Sequence, residues 1–392
     1  MQFEDLLDTR EIVICCGSGG VGKTTTAAAI AIHAALRGLK VIVLTIDPAK
    51  RLANSLGLTE LGNVERRVSP KKFEDAGVSI KGELYAMMLD TKRTFDDLVI
   101  KHALNQEMRD RILNNVLYKN ISDAFAGSQE YMAMEKLFEI YMERKYDLIV
   151  LDTPPTKHAL DFLDAPKRMT DFLDGSVLKW FIKPYFAAGK AGLRVFQRGA
   201  AMVLRTLERV TGMAALKIAS DFFLAFEGMY DDFKERASAV YELLHDRTTA
   251  FVLVTSPEEI TVEEAMYFYD KLVEYGMPFC GLIINKVHTN FASADNAGRI
   301  VEVQSADKLA KRLSGSLAKN KKEEKAMLKV ADKLVCNLDN FRNLAEIDEQ
   351  NIRKLTDHIE TDSVVSTVPS FDTDVYDIGD LIRINHYVFG SE

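Results

Sequence analysis

The segment Gly17-Ser18-Gly19-Gly20-Val21-Gly22-Lys23-Thr24 constrains this chain more than any other, because it carries the full G-x-x-x-x-G-K-[ST] pattern. An apolar run, Glu11 to Cys16, precedes it, and a helical stretch, Thr24 to Arg37, follows it. A backbone that curls its N–H groups around phosphate oxygens needs glycines, since a Cβ would obstruct the curl. The helix then points its positive end at the same anion. Lys23 is expected to bridge the outer phosphates as a point charge, and the Thr24 hydroxyl to ligate magnesium. The pattern predicts an ATP–magnesium site built on Gly17, Ser18, Gly19, Gly20, Val21, Gly22, Lys23, Thr24 and Thr25.

A strand–loop–helix unit of this kind needs a parallel sheet around it, and the rest of the chain supplies candidates. Short apolar runs rich in β-branched residues recur at Lys40 to Ile46, Leu84 to Leu89, Asp147 to Leu151, Thr249 to Thr255 and Phe279 to Asn285. Each is continuously apolar, as expected for strands buried on both faces. Helical stretches such as Gln129 to Arg144 and Thr261 to Tyr275 fall between them. A last strand is expected over Ser363 to Val368, before a closing helix near Asp377 to Tyr387. The alternation predicts an α/β fold, a doubly wound, mostly parallel sheet of the P-loop NTPase kind.

Two regions break the rhythm. No strand pattern is found from Ala165 to Arg247, which reads as an inserted all-helical subdomain. The text from about Phe291 to His358 is charged and helical, and its run Lys319 to Lys325 reads as a solvated helix face or turn. The expected division is therefore a nucleotide hydrolase core of residues 1–164 and 248–392, with a charged helical segment at 291–358, and the insertion at 165–247.

Fifty basic residues against 58 acidic ones leave a net charge of -8, which argues against a nucleic-acid partner. The start, MQFEDLLDTREIVICC, is acidic where a signal peptide is positive, and no apolar run approaches the ~20 residues of a spanning helix. With only four cysteines and none at two-residue spacing, a reduced, cytoplasmic setting is expected.

Two further acidic elements suit the same crevice. Asp47, in Thr45-Ile46-Asp47-Pro48-Ala49-Lys50-Arg51, follows a strand and can orient a water in line with the γ-phosphate; an ordinary helix N-cap is the rival reading. Asp152 ends the buried run Tyr146 to Leu151 and is expected to hold magnesium, through a water. The stretch Thr153-Pro154-Pro155-Thr156-Lys157-His158 beyond it is placed to sense the γ-phosphate as a switch.

Together these motifs resemble the arsenite-pump and tail-anchored-protein-targeting ATPases, a group within the MinD-like and nitrogenase-reductase-like P-loop proteins. The likeness extends to Gly127-Ser128-Gln129-Glu130, to Phe251 to Glu259, to Ile283-Ile284-Asn285 and to Val368-Pro369, and DPAKRLANSLGL with DTPPTKHALDFLDAP looks most like a bacterial branch. The resemblance implies that Asp47 activates water and that Asn285 reads adenine. It also implies that Val368, Pro369 and Ser370 cover the base and that two subunits close as a nucleotide switch.

Three departures stand out. The family's second loop lysine, which reaches the partner's phosphates across a dimer, is here Ser18, so turnover is expected to be slow or to use another cation. Lys157 is one substitute, or a solvated surface lysine, and a heterodimer whose partner supplies the lysine is another route. The zinc-clamping Cys-x-x-Cys of some relatives is missing. Cys15 and Cys16 lie side by side on the strand before the loop and read as core residues rather than an arsenite site.

In the family the helical insertion carries the client or partner surface. Here Ser176 to Gly212 places Lys179, Lys183, Lys190, Arg194, Arg198, Arg205 and Arg209 on helical spacing beside Trp180, Phe181, Phe186, Leu193 and Phe196. Such a segment suits an anionic membrane surface or a hydrophobic client, or simply packs on the core with its charges in water. Pro184 and the glycines at 189, 192 and 199 would break the stripe. The whole reads as a magnesium-dependent ATPase switch, a homodimer or heterodimer, peripheral at most to a membrane. An anion-efflux ATPase subunit and a weakly hydrolysing regulatory subunit are the alternatives.

Overall fold

The structure, a computed structural model, describes residues 3–46, 51–116, 118–119, 128–154, 218, 222, 229–289, 308–311, 321–359 and 363–390. Its framework is one eight-stranded sheet in the order β3-β4-β2-β5-β1-β6-β7-β8. The strands are β1 (Ile12–Cys16), β2 (Lys40–Thr45), β3 (Arg66–Arg67), β4 (Glu83–Met88), β5 (Leu148–Asp152), β6 (Thr249–Thr255), β7 (Phe279–Val287) and β8 (Val364–Pro369). All neighbours run parallel except β3, a two-residue antiparallel edge on β4. The sequence offered no signal for β3, because two exposed arginines carry no periodicity.

The helices are α1 (Phe3–Thr9), α2 (Lys23–Arg37), α3 (Arg51–Ser55), α4 (Pro70–Asp75), α5 (Thr91–His102), α6 (Gln106–Asn114) and α7 (Ser128–Met142), followed by α8 (Tyr230–His245), α9 (Glu259–Glu274), α10 (Lys321–His358) and α11 (Ile378–Val388). Every residue of β1, β5 and β6 is buried, as sheet centre with helices on both faces demands. Alternate residues feed two separate cores. Ile12, Ile14, Cys16, Ile42, Leu44 and Phe251 enter one with α5, α7, α8 and α9, whereas Val13, Cys15, Val41, Val43 and Val252 enter the other with α1, α2 and α11. Each fully buried aliphatic side chain contributes about 2 kcal/mol of transfer free energy.

α2 lies against the centre of the second face. Its alanines at 27, 28, 31 and 35 are all fully buried, small enough to let the helix approach the sheet. It stops at Gly38, whose φ of 111° turns its N–H back onto the Ala34 and Ala35 carbonyls.

The chain leaves β1 for β2, and the gap between them is filled later by β5. β1 is therefore the switch point, with β2 and β4 wound to one side and β6, β7 and β8 to the other. Because these strands are parallel, their carboxyl ends share one edge, and sheets of this kind take their ligands outside that edge where the winding reverses. The α/β, doubly wound, mostly parallel architecture is the one expected from the strand pattern. Most of the expected insertion at 165–247, including the basic segment 176–212, lies outside the described residues; α8 is described there. Within the charged segment 291–358 the described residues are 308–311 and α10, a single helix of 38 residues. Among the described residues no helix is long and apolar enough to cross a membrane.

Candidate functional site

The loop Gly17 to Gly22 joins β1 to α2 at the switch point. Gly17 has φ 149°, and a Cβ there would collide with the Val254 carbonyl of β6. Gly22 precedes the first residue of α2 at φ 100°, where a Cβ would strike the side-chain amide of Asn285. Both glycines let a neighbouring strand come within contact of the loop backbone. The Thr26 N–H then donates to the Gly22 carbonyl at 2.9 Å, the first turn of α2. Ser18 and Val21 are buried, Gly19 and Gly20 are exposed, and Thr24 and Thr25 are half-buried. Lys23, only 7% exposed, folds back over the loop and donates from Nζ to the Ser18 carbonyl at 2.8 Å.

Three strand ends meet beside this loop. Register pairs Cys15 of β1 and Thr45 of β2 with Asp152 of β5, so the three residues stand at one level. Thr24 Oγ1 donates to Asp152 Oδ2 at 2.7 Å, and Thr45 Oγ1 donates to the same oxygen at 2.8 Å. Thr153 continues the rim, its hydroxyl donating to the Cys15 carbonyl at 2.9 Å. Asp152 is 1% exposed, and burying a carboxylate this deeply is costly unless it is hydrogen-bonded or meets a cation. The donor set is one carboxylate and hydroxyls, all hard oxygen, and few in number. That suits magnesium, which keeps several waters and takes further oxygens from a substrate's phosphates. Thr24 and Asp152, the sequence-predicted metal residues, are thus brought together, and Thr45 was missed. Asp152→Asn is expected to raise the magnesium concentration for half-maximal ATP turnover roughly 10–100-fold, as loss of an outer-sphere partner does. A magnesium titration of turnover that superimposes on the parent's would remove Asp152 from the metal site.

On the other side of β1, Asn285 sits near the end of β7 and donates from Nδ2 to the Val21 carbonyl at 2.8 Å. Its Oδ1 accepts from the Lys286 N–H at 2.9 Å. One amide hydrogen and one lone pair remain for another partner, so the expected reading of a base edge stays within the side chain's capacity. Lys286 has φ 61° and donates from Nζ to the Gly20 carbonyl at 2.8 Å. Sequence reasoning passed over Lys286; the only hint was a lysine directly after the strand-terminal Asn. In β8 the side chain of Val368 is 1% exposed and belongs to the core, while Pro369 is half-buried and Ser370 exposed. The Ser370 N–H donates to the Val287 carbonyl at 2.8 Å, which places this turn beside Asn285 and Lys286.

Asp47 and Lys157 lie outside the described residues. The last described residue before Asp47 is Ile46, whose N–H meets the Asp152 carbonyl at 3.4 Å. Cys15 and Cys16 are fully buried on opposite faces of β1, and burial pushes both thiols up, Cys15 with help from the Asp152 charge. A thiol held so firmly in its protonated form is a poor metalloid ligand.

A family model described as "Anion-transporting ATPase" matches residues 10–347. The chain is 25% identical over 281 residues to a protein of Aquifex aeolicus named as a candidate arsenical pump-driving ATPase, a match spanning 70% of this chain and 63% of that one. It is 26% identical over 290 residues to ATPase GET3 of Malassezia globosa, across 73% of this chain and 76% of the relative. It is also 27% identical over 300 residues to ATPase GET3C of Arabidopsis thaliana, across 72% of this chain and 68% of the relative.

Proposed function

The chain belongs to the anion-transporting ATPase family, and from that premise we propose that it binds ATP with magnesium at the Gly17–Thr25 loop and hydrolyses it as a two-subunit switch. The single observation that carries the reading is the convergence of the Thr24 and Thr45 hydroxyls on the buried Asp152 carboxylate, directly below the lysine-braced loop.

In this reading the loop amides and the α2 N-terminus bind the phosphates, and Lys23 swings from the Ser18 carbonyl to the outer phosphates. Thr24 and Asp152 would hold the magnesium, which would supply charge neutralisation to the phosphates. Asp47, one residue beyond Ile46, accepts a hydrogen bond from the attacking water and aligns it with the γ-phosphorus. As the water oxygen bonds to that phosphorus, the bond from phosphorus to the bridging oxygen breaks, a water proton passes to Asp47, and ADP and phosphate leave. Asp47→Asn is expected to lower kcat by about 10²–10⁴-fold with Mg·ATP affinity within a few-fold of the parent's, since general-base help is of that size. Turnover of this variant at the parental rate would withdraw the role of Asp47.

Ser18 in place of a second lysine makes a slow homodimer, a heterodimer supplied with a partner's cation, or recruitment of Lys157 the routes to charge stabilisation. Hydrolysis moves a hydrophobic client, a membrane surface or a partner protein only where that partner prefers one nucleotide state. Sedimentation of Asp47→Asn in Mg·ATP and in Mg·ADP tests the switch, alone and with a co-purified family member. The same sedimentation coefficient in both nucleotides, in both mixtures, would sink it.

The family's description and the name of the Aquifex relative favour a second reading, an ATPase subunit of an anion-efflux pump. Arsenite or antimonite would then accelerate ATP turnover several-fold. The buried, protonated state of Cys15 and Cys16 weighs against these two as the metalloid ligands.

A further inference from the structure

β7 does not pair with β8 evenly. Ile284 stands opposite Thr367 and Val287 opposite Pro369, so three steps on β7 match two on β8 and one extra residue is bulged out between them. The bulged stretch holds Asn285 and Lys286. Bulges re-aim side chains, and this one turns two consecutive side chains toward the phosphate loop rather than to opposite faces of the sheet. The left-handed φ of 61° at Lys286 is part of the device, because it re-aims the backbone beyond that residue's amide, while the Lys286 N–H itself donates to Asn285 Oδ1 at 2.9 Å and so orients the Asn285 amide.

The two side chains take consecutive loop carbonyls. Lys286 Nζ holds the Gly20 carbonyl at 2.8 Å, and Asn285 Nδ2 holds the Val21 carbonyl at 2.8 Å. In a trans peptide the C=O and the next residue's N–H point opposite ways. Holding the Gly20 and Val21 carbonyls toward β7 therefore turns the Val21 and Gly22 N–H groups away from it, into the cradle. Gly22 has no Cβ where Asn285 makes this approach.

We infer that Lys286 is a positioning residue for nucleotide binding, which, with Asn285, presets the loop amides toward the phosphates through the outward carbonyls of Gly20 and Val21. The inference rests on the Gly17–Thr25 loop being the phosphate site. Asn285 and Lys286 hold the loop backbone before any anion arrives, so less ordering is left to be done on binding. The ammonium also adds a positive charge on the outer side of the loop, a supplement to Lys23 in a chain whose Ser18 offers none.

The test is calorimetric titration of Mg·ADP into the full-length parent, Lys286→Met, Lys286→Arg and Lys286→Gly, each also melted without nucleotide. Lys286→Met keeps the aliphatic stem and removes the charge, and is expected to weaken Mg·ADP about tenfold, the worth of one charged hydrogen bond. Lys286→Arg, which restores a cationic donor, recovers most of the affinity. Lys286→Gly adopts the left-handed φ freely, so its melting temperature stays at or above the parent's while its affinity falls as in Lys286→Met. A purely structural lysine would instead couple the two readouts, affinity falling only as the melting temperature falls. Met and Gly variants that bind within twofold of the parent, or a loss that tracks melting, would overturn the positioning role alone. No heat from the parent would overturn the phosphate site itself and this role with it.

Discussion

Lys23→Met is expected to lower kcat/KM for ATP by on the order of 10³-fold, while the protein without nucleotide melts within a few degrees of the parent. The lysine is only 7% exposed, and its Nζ reaches across the loop to the Ser18 carbonyl at 2.8 Å. In a pocket this poorly hydrated a cation facing developing phosphate charge acts through a low effective dielectric, which is why its loss is felt far more than that of a surface charge. The fold should tolerate the change because methionine fills nearly the same volume and the cost of burying an ammonium disappears with it. Steady-state turnover with varied ATP checks this, and a kcat/KM within tenfold of the parent's would mean that Lys23 does not face the reacting phosphate.

Gly17→Ala should be the most damaging glycine-to-alanine change among the described residues, destabilising the apo-protein by about 3–5 kcal/mol, the range of a strained backbone combined with overpacking. The φ of 149° is one that L side chains rarely adopt, and the added Cβ would meet the Val254 carbonyl. That carbonyl belongs to β6, a fully buried strand paired to β1 on one side and β7 on the other, so it cannot yield without disturbing the sheet centre. For a domain of this size each kcal/mol lowers Tm by roughly 2–4 °C, giving a fall on the order of 10 °C. Differential scanning calorimetry without nucleotide is the check, since it excludes any loss of ligand stabilisation. A melting temperature within 2 °C of the parent's, roughly one step of that scale, would show that the loop relaxes at no cost.

The two predictions differ in what they read. Lys23→Met is expected to act on the ligand and leave the fold alone, while Gly17 is demanded by the fold whether or not a ligand is present. Asp152 stands between them: its carboxylate is buried at a level set by strand register, yet its oxygen is shared by the two hydroxyls that a magnesium ion would approach.

Most of the frame was legible in the amino-acid order. The runs at Ile12–Cys16, Lys40–Thr45, Leu148–Asp152, Thr249–Thr255 and Phe279–Val287 became parallel strands because continuous apolar, β-branched text suits no other buried element of that length. The helices α5 and α6 were not anticipated, although Asp90 and Asn105 cap them through their side chains at 2.9 Å. Their apolar faces are narrow, and caps are short local signals that become visible only once the helix is known. The Val368 side chain shows the converse: its neighbours Pro369 and Ser370 mark a loop, but packing took Val368 into the core.

What the sequence determined by itself is chemistry held within a few consecutive residues: the glycine loop, the lysine and threonine that follow it, and the acidic residue closing a buried strand. Such features depend on local backbone geometry, which nearby side chains dictate. Only the tertiary structure decided that Thr45 joins Thr24 on Asp152, and that a bulge 264 to 266 residues downstream ties down the carbonyls of Gly20 and Val21. Those meetings follow from strand order and register across the switch point, and pairings between distant strands leave no periodic mark on the segments that make them.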